Sequence, residues 1–170
     1  MPFNTLLLTC LKHGTSFHES GCGVRLQKQS RETVLFFVVD DQANPNSTLR
    51  DDLEMEEESI CDLIVFYAQE DKKVLCLVEA KKGVDLTKAQ RQVTNTYRCL
   101  RQFLRQSLRD PCRSHFQCID WRAYIYLHGG APNDKKELEA AKRALKQIFE
   151  SEDKFLIRSN PDLGPFLRSS

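Results

Sequence analysis

Residues 61–83 read CDLIVFYAQEDKKVLCLVEAKKG, and this stretch decides the fold. Two runs, residues 60–68 and 73–81, are apolar at most positions, and the polar residues between them suit a tight turn. A strand that is apolar on both faces belongs in the middle of a covered sheet. The stretch therefore predicts two adjacent central strands joined by a hairpin.

Three charged residues, Asp62, Glu79 and Lys81, interrupt these apolar strands. Charges inside a sheet cost free energy unless they are paired or bind a metal ion. Residues two apart on a strand share a face, so Glu79 and Lys81 point the same way. A tight hairpin centred between Glu70 and Asp71 sets Asp62 opposite Glu79, with their Cβ atoms about 5 Å apart.

Two carboxylates at that separation repel each other, and a divalent cation relieves the repulsion. Mg²⁺ prefers oxygen ligands of this kind, with waters completing its coordination shell. The alternative is a structural ion cluster in an inactive sheet, in which Lys81 neutralises Glu79 or Asp62. An extra carboxylate is then left over, and buried charges need partners. The pattern therefore favours a Mg²⁺ or Mn²⁺ site.

The remaining patterns place other layers around these strands. Residues 86–109 carry apolar side chains at steps of three and four, which predicts a long amphipathic helix opened by a capping box of Thr87 and Gln90. The other predicted elements are a helix from Asn4, a short helix over 17–19, strands over 33–39, 121–127 and 155–157, and a helix capped by residue 133 or 134. The order predicts one α/β domain over residues 1–170, with a mixed central β-sheet flanked by helices.

This arrangement resembles the PD-(D/E)XK nuclease superfamily, whose restriction-endonuclease-like core has the order α-β-β-β-α-β, here followed by a C-terminal helix. The motif is Asp62…Glu79-Ala80-Lys81, with Cys61 where the family usually has Pro. The resemblance implies that Asp62, Glu79 and the backbone carbonyl of Ala80 bind the metal ion. It implies that Lys81 positions or activates the attacking water. The implied activity is Mg²⁺- or Mn²⁺-dependent hydrolysis of phosphodiester bonds in DNA or RNA.

Five further residues are candidates around the motif. Glu19 resembles a Glu that family members often place on the first helix, although a surface glutamate fits the sequence equally well. Gln90 is either an accessory site residue or a helix-start residue. Lys82, Lys88 and Arg91 are candidates for phosphate contacts, and a solvated face is the alternative for them. The alternative to a nuclease is a catalytically inactive binding or assembly module with the same fold.

Composition sets limits on these interpretations. The chain has 170 residues with 41% hydrophobic and 29% charged, which suits one globular domain and excludes a disordered chain. The net charge of +1 does not by itself indicate a nucleic-acid partner, although residues 84–113 carry seven cations against two acids. Many nucleases of this size dimerise to cut two strands, which leaves a homodimer open.

The sequence also bears on where the protein works. Its apolar runs are shorter than the ~18–20 residues of a membrane helix, and the first residues lack the basic flank of a signal peptide, so we expect no membrane partner. An odd number of cysteines, seven, favours a reducing compartment. We therefore expect an intracellular protein of the cytoplasm or nucleus.

Overall fold

Eight strands and five α-helices make up the part of the chain that the computed structural model describes, residues 2–55, 59–82, 85–107, 117–130 and 134–169. The strands are β1 (Leu11–Lys12), β2 (Ser16–Glu19), β3 (Cys22–Arg25), β4 (Thr33–Val38), β5 (Leu63–Gln69), β6 (Lys72–Lys82), β7 (Asp120–His128) and β8 (Phe155–Arg158). The helices are α1 (Pro2–Thr5), α2 (Leu49–Asp52), α3 (Leu86–Ser107), α4 (Lys135–Phe149) and α5 (Gly164–Arg168). A π-helical turn spans Leu6–Cys10, and a 3₁₀ turn spans Glu152–Lys154.

Six of the strands form one mixed sheet in the order β1-β4-β5-β6-β7-β8. Neighbouring strands from β1 to β6 are antiparallel, whereas β7 and β8 run parallel to β6. Strands β5 and β6 form the predicted hairpin, because Leu63 pairs with Val78 and Gln69 with Lys72. The predicted α/β class, with a mixed sheet flanked by helices, is confirmed.

The sheet is covered on both faces, as its apolar central strands require. Helices α3 and α4 pack on one face, where Val93 and Leu100 of α3 are fully buried in the same cluster as Leu77 of β6. The hairpin β2–β3 and the short helix α5 cover the other face through Phe17 and Phe166. The sheet therefore separates two apolar clusters, and the long helix lies on the face that Glu79 and Lys81 share with Leu77.

The predicted capping box of α3 is wrong. Asp85 caps the helix instead, because its Oδ1 accepts a hydrogen bond of 2.9 Å from the backbone N–H of Lys88. A short carboxylate before the first turn satisfies a free N–H and interacts favourably with the helix dipole. The side chain of Gln90 instead donates to Thr94 Oγ1 at 2.8 Å, within the helix.

The short helix predicted over residues 17–19 is also wrong, because these residues lie in β2. Phe17 pairs with Val24 of β3 and is buried against the sheet. Ser20 and Gly21 have φ angles of 50° and 81°, which suit a two-residue hairpin turn. The correction matters because β2 ends at Glu19.

The remaining predicted elements are present. The N-terminal helix appears as α1 and the π-helical turn, and the last strand appears as β8. Asp134 caps α4 by accepting hydrogen bonds from the backbone N–H groups of Lys136 and Glu137. Within the described ranges, none of the helices is both long and apolar enough to cross a membrane.

Candidate metal centre

The centre of the site is the pair of carboxylates that the hairpin register places together. Asp62 directly precedes β5 and Glu79 lies in β6. The backbone N–H of Asp62 donates to Glu79 Oε2 at 3.2 Å, and the N–H of Ala80 donates to Asp62 Oδ2 at 2.7 Å. Asp62 is 6% exposed and Glu79 is 0% exposed. Two acids are thus held side by side, out of water, by the backbone of the same hairpin.

Lys81 is the cation beside this pair. Its Nζ lies 2.5 Å from Glu79 Oε1, on the strand face that the two residues share, and its side chain is 20% exposed. Burial lowers the pKa of Lys81, but the hydrogen bond to Glu79 and the charges of Glu79, Asp62 and Asp85 together outweigh this effect, and the pKa lies above its usual value. Lys81 is therefore a charged hydrogen-bond donor at neutral pH.

Two more acids, Glu19 and Asp40, join the site from other elements. Glu19 is the last residue of β2, and Asp40 follows β4, the strand next to β5. One carboxylate oxygen from each of Glu19, Asp40 and Asp62 lies within 4.8 Å of the others. We refer to Glu19, Asp40, Asp62 and Glu79 as the acidic cluster.

The pKa values show the electrostatic cost of this arrangement. Burial raises the pKa of Glu79 to about 8, and the charge of Asp62 adds to the rise. Burial also raises the pKa of Asp62 to about 6, with smaller contributions from Glu19 and Asp40. The pKa of Asp40 is raised to about 6 by burial and by its hydrogen bond with Asp41. Lys81 alone thus does not neutralise the acidic cluster.

Helix α3 holds the segment that leads into Asp62. Gln92 Nε2 donates to the backbone carbonyl of Ile60 at 2.9 Å. Thr96 Oγ1 accepts from the backbone N–H of Cys61 at 2.9 Å and donates to the carbonyl of Gln92 at 2.8 Å. Gln92 and Thr96 are both buried. Two successive backbone groups before Asp62 are therefore fixed by one turn of the helix.

The acidic cluster opens into a polar cleft of about 290 Å³, which Glu19, Asp40 and Asp62 line together with Ala80 and Lys81. Three further cations, Arg50, Lys82 and Lys88, line the same cleft. Arg50 Nη2 lies 3.0 Å from Asp41 Oδ1 and 4.0 Å from Asp40 Oδ1. The cleft thus combines a floor of carboxylates with a rim of positive charge.

The structure brings some of the predicted site residues together and separates others. Asp62, Glu79, Ala80 and Lys81 lie together, and Glu19 joins them from a strand. Lys82 and Lys88, which were predicted to contact phosphate, line the cleft.

Two of the predicted residues lie elsewhere. Gln90 does not line the cleft, because its side chain bonds to Thr94. Arg91 is exposed on α3 and does not line the cleft either, since its position on the helix turns it toward solvent. The accessory role of Gln90 is therefore not supported by its geometry, and neither is a contact of Arg91 within the cleft.

Sequence reasoning missed Asp40, Gln92 and Arg50. Asp40 had a detectable signal, because it directly follows the buried apolar run 33–39. In an antiparallel sheet the end of one strand lies beside the start of the next, so this acid falls close to Asp62. Gln92 and Arg50 had no comparable signal, since their roles depend on how α3 and α2 pack.

Comparison with known proteins adds no family to this picture. The chain matches no protein-family model, and neither the curated proteins nor the solved structures contain a significant match. The interpretation of the site depends on its geometry.

Proposed function

We propose that this protein is a metal-dependent nuclease of the PD-(D/E)XK type that hydrolyses phosphodiester bonds in nucleic acid. One observation carries the proposal. Asp62 and Glu79 lie side by side on adjacent strands with Lys81 in contact with Glu79, and Asp62 and Lys81 line a cleft that other cations also line. The sheet order, with three antiparallel strands followed by a helix and a parallel strand, supports a restriction-endonuclease-like core.

The residues of the acidic cluster fit a divalent cation. Carboxylate and carbonyl oxygens are the ligands that Mg²⁺ and Mn²⁺ prefer. Burial raises the pKa of both Asp62 and Glu79, and the charge of Asp62 further raises that of Glu79, so a bound cation would favour their ionised forms. Asp62, Glu79 and the carbonyl of Ala80 would hold the ion, with Asp40 and Glu19 as further oxygen donors.

The cation supplies two effects when bound, since it lowers the pKa of a coordinated water and stabilises charge developing on the phosphate. The protein's own residues do the rest. Lys81, held by Glu79, donates hydrogen bonds toward the attacking water and the phosphate oxygens. Lys82 and Lys88 at the rim attract the phosphate backbone without reading its sequence. Glu79 keeps Lys81 in place and charged.

Incubation with plasmid, single-stranded DNA and RNA tests the proposal. The wild type is expected to cut at least one of them in Mg²⁺ or Mn²⁺ and to stop when EDTA is added. Asp62→Asn is the matched variant, because it keeps the side-chain size and removes one ionic ligand. Cutting that survives EDTA, or equal cutting by Asp62→Asn, would overturn the mechanism. Binding of nucleic acid with no cutting in either metal ion would instead assign a catalytically inactive module.

A further inference from the structure

Helix α3 carries an unbalanced charge outside the cleft. Over Leu86–Ser107 it contains five Lys or Arg and no Asp or Glu. Three of these cations, Arg91, Arg98 and Arg105, recur every seven residues and are exposed. Seven residues return to nearly the same side of a helix, with a drift of ~20°. We call these three residues the arginine ridge.

The ridge has no acidic partner among the residues that the structure describes. Within the described part of the chain, none of its three guanidinium groups forms an ion pair with a carboxylate. Arg101, also on α3, forms a cation–π contact instead, because its Cζ lies 5.3 Å from the centroid of the Tyr97 ring. The three guanidinium groups of the ridge therefore expose positive charge to solvent.

Helix α4 shows the contrast within the same protein. Two of its exposed cations are paired with acids, since Lys142 lies 3.0 Å from Glu139 and Lys146 lies 2.7 Å from Glu152. Arg143 donates to the backbone carbonyl of Glu139. An ordinary solvated helix face mixes both signs of charge in this way. The exposed face of α3 does not mix both signs of charge. A general preference for charged residues on the surface therefore does not explain the arginine ridge.

The ridge is continuous with the cleft. Lys88 lines the cleft, and Arg91 follows it by three residues, which makes the two neighbours on the helix surface. From Arg91 the ridge runs ~21 Å along the helix axis to Arg105. A nucleic acid that enters the cleft beside Lys88 can therefore extend along α3.

The chemistry of the ridge favours a phosphodiester backbone over an acidic protein. Positions between the arginines on this side of the helix are polar, with Asn95 and Gln102 among them. Protein interfaces need a buried apolar or aromatic centre, whereas phosphate contacts need only cations and polar groups. Arginine also binds phosphate through two parallel hydrogen bonds.

We propose that the arginine ridge binds the phosphate backbone of the nucleic acid that flanks the cleft, so that α3 extends the footprint of the protein beyond the site of cleavage. This inference rests on the proposed function only in that both take nucleic acid as the ligand. It does not require that the chain cleave it.

Fluorescence anisotropy with a 24-base-pair duplex and a 24-nucleotide single strand tests the inference in EDTA, where metal-dependent cleavage is absent. The ridge variant is Arg91→Gln/Arg98→Gln/Arg105→Gln. The control is Lys142→Gln/Arg143→Gln/Lys146→Gln, which removes the same charge from α4. Far-UV circular dichroism and a thermal melt check that both variants fold.

The ridge variant should bind at least one of the two probes, the duplex or the single strand, about tenfold or more weakly than the wild type near 0.1 M salt. Its slope of log affinity against log salt should fall by about 2–3 for a duplex, since each phosphate contact contributes ~0.9, or ~0.7 per contact for a single strand. The control should stay within about twofold of the wild type. Equal losses in both variants, or no binding by the wild type, would overturn the inference.

A competition arm addresses the other class of partner. Poly-glutamate that displaced the oligonucleotide as well as unlabelled nucleic acid does would assign the ridge to acidic proteins and overturn the inference. Cleavage measured separately in Mg²⁺ keeps the two proposals apart. Binding through the ridge without cleavage would refute the nuclease alone, whereas cleavage with identical ridge and control variants would refute the ridge alone.

Discussion

At the scale of single residues, Glu79 and Glu32 show that burial alone does not decide what a carboxylate does. Both are almost fully buried. Arg168 holds the pKa of Glu32 at about 2, through an ion pair of 2.7 Å, so that acid is a satisfied structural partner. Glu79 has its pKa raised to about 8 by burial and by Asp62, even though Lys81 touches it. An acid kept in an unfavourable place in this way is typical of a functional site.

The first prediction compares these two acids. In EDTA at pH 8, Glu79→Gln should leave the free energy of unfolding unchanged or raise it, because the change removes a buried and repelled charge. The same variant should bind Mn²⁺ at least about tenfold more weakly by calorimetry, since each lost ~1.4 kcal/mol is a factor of ten. Glu32→Gln should lose about 1–3 kcal/mol of stability and keep its Mn²⁺ affinity. Equal stability losses in both variants would favour a structural role for Glu79.

The second prediction concerns Lys81. Because a cation is not a metal ligand, Lys81→Ala should keep or tighten Mn²⁺ binding while losing most cleavage. If Lys81 instead serves only to neutralise Asp62 and Glu79, its removal should cost about 3–5 kcal/mol, and added Mn²⁺ should restore the stability. Unchanged cleavage by Lys81→Ala would remove this residue from the mechanism.

At the scale of elements, the site depends on where one strand and one helix meet. Strand β5 begins directly after Asp62, and the two residues before Asp62 are held by Gln92 and Thr96 of α3. This contact explains why a helix that supplies no acid to the acidic cluster is still needed for its geometry. Helix α3 therefore fixes the position of Asp62, in addition to covering the sheet.

The third prediction tests that contact with Thr96→Val and Thr96→Ser. The valine keeps the shape but leaves the N–H of Cys61 without its acceptor, so Mn²⁺ binding should weaken severalfold, whereas serine should bind nearly as the wild type does. Tyr67→Phe is the control, because it removes a buried hydroxyl that bonds to Glu32 and Gln69 farther along β5. Equal Mn²⁺ affinities in Thr96→Val and Tyr67→Phe would show that the contact does not act through Asp62.

At the scale of the whole molecule, the acidic cluster makes stability depend on pH. A carboxyl whose pKa is raised on folding binds more protons in the folded state, so stability is present at low pH and lost as pH rises. For Glu79 the window runs from about pH 4.5 to about 8, and for Asp62 from about 3.8 to about 6. Glu32 acts in the opposite sense, and its stabilisation is lost as pH falls from about 4.5 toward 2.

The fourth prediction follows from these windows. In EDTA, the free energy of unfolding measured by urea denaturation should fall by a few kcal/mol between pH 5.5 and 8.5, since one pKa unit corresponds to ~1.4 kcal/mol. Millimolar Mg²⁺ should remove most of the fall, because the cation replaces the protons. Glu79→Gln should show a flatter curve in EDTA. A wild-type curve that is equally steep with and without Mg²⁺ would contradict a cation site.

How much of the structure the sequence predicted depended on how far apart the interacting residues lie along the chain. The hairpin from β5 to β6 is local, so its register, and with it the pairing of Asp62 with Glu79, followed from spacing and turn chemistry. Glu19 was predicted as a candidate site residue, but it was placed on a helix instead of a strand. The reason is that the four residues that end at Glu19 contain one apolar position, a pattern that suits either element. Burial of Phe17 against the sheet decided in favour of a strand.

Longer-range parts of the molecule were outside the reach of local patterns. No element was predicted after the strand over 155–157, yet α5 folds because Phe166 and Leu167 are buried and Arg168 pairs with Glu32. Arg122 of β7 adds hydrogen bonds to Ser169. These contacts join residues far apart in the chain, and no spacing within a single segment indicates them.

The central claim is that the acidic cluster holds a divalent cation next to a phosphate. Anomalous diffraction from crystals grown with Mn²⁺ and a short phosphorothioate oligonucleotide tests it most directly. A Mn²⁺ peak is expected within about 2.5 Å of carboxylate oxygens of both Asp62 and Glu79, with a phosphate group of the oligonucleotide beside Lys81. The absence of a Mn²⁺ peak in the cleft, or peaks only at surface acids such as Asp51 and Glu54, would contradict it.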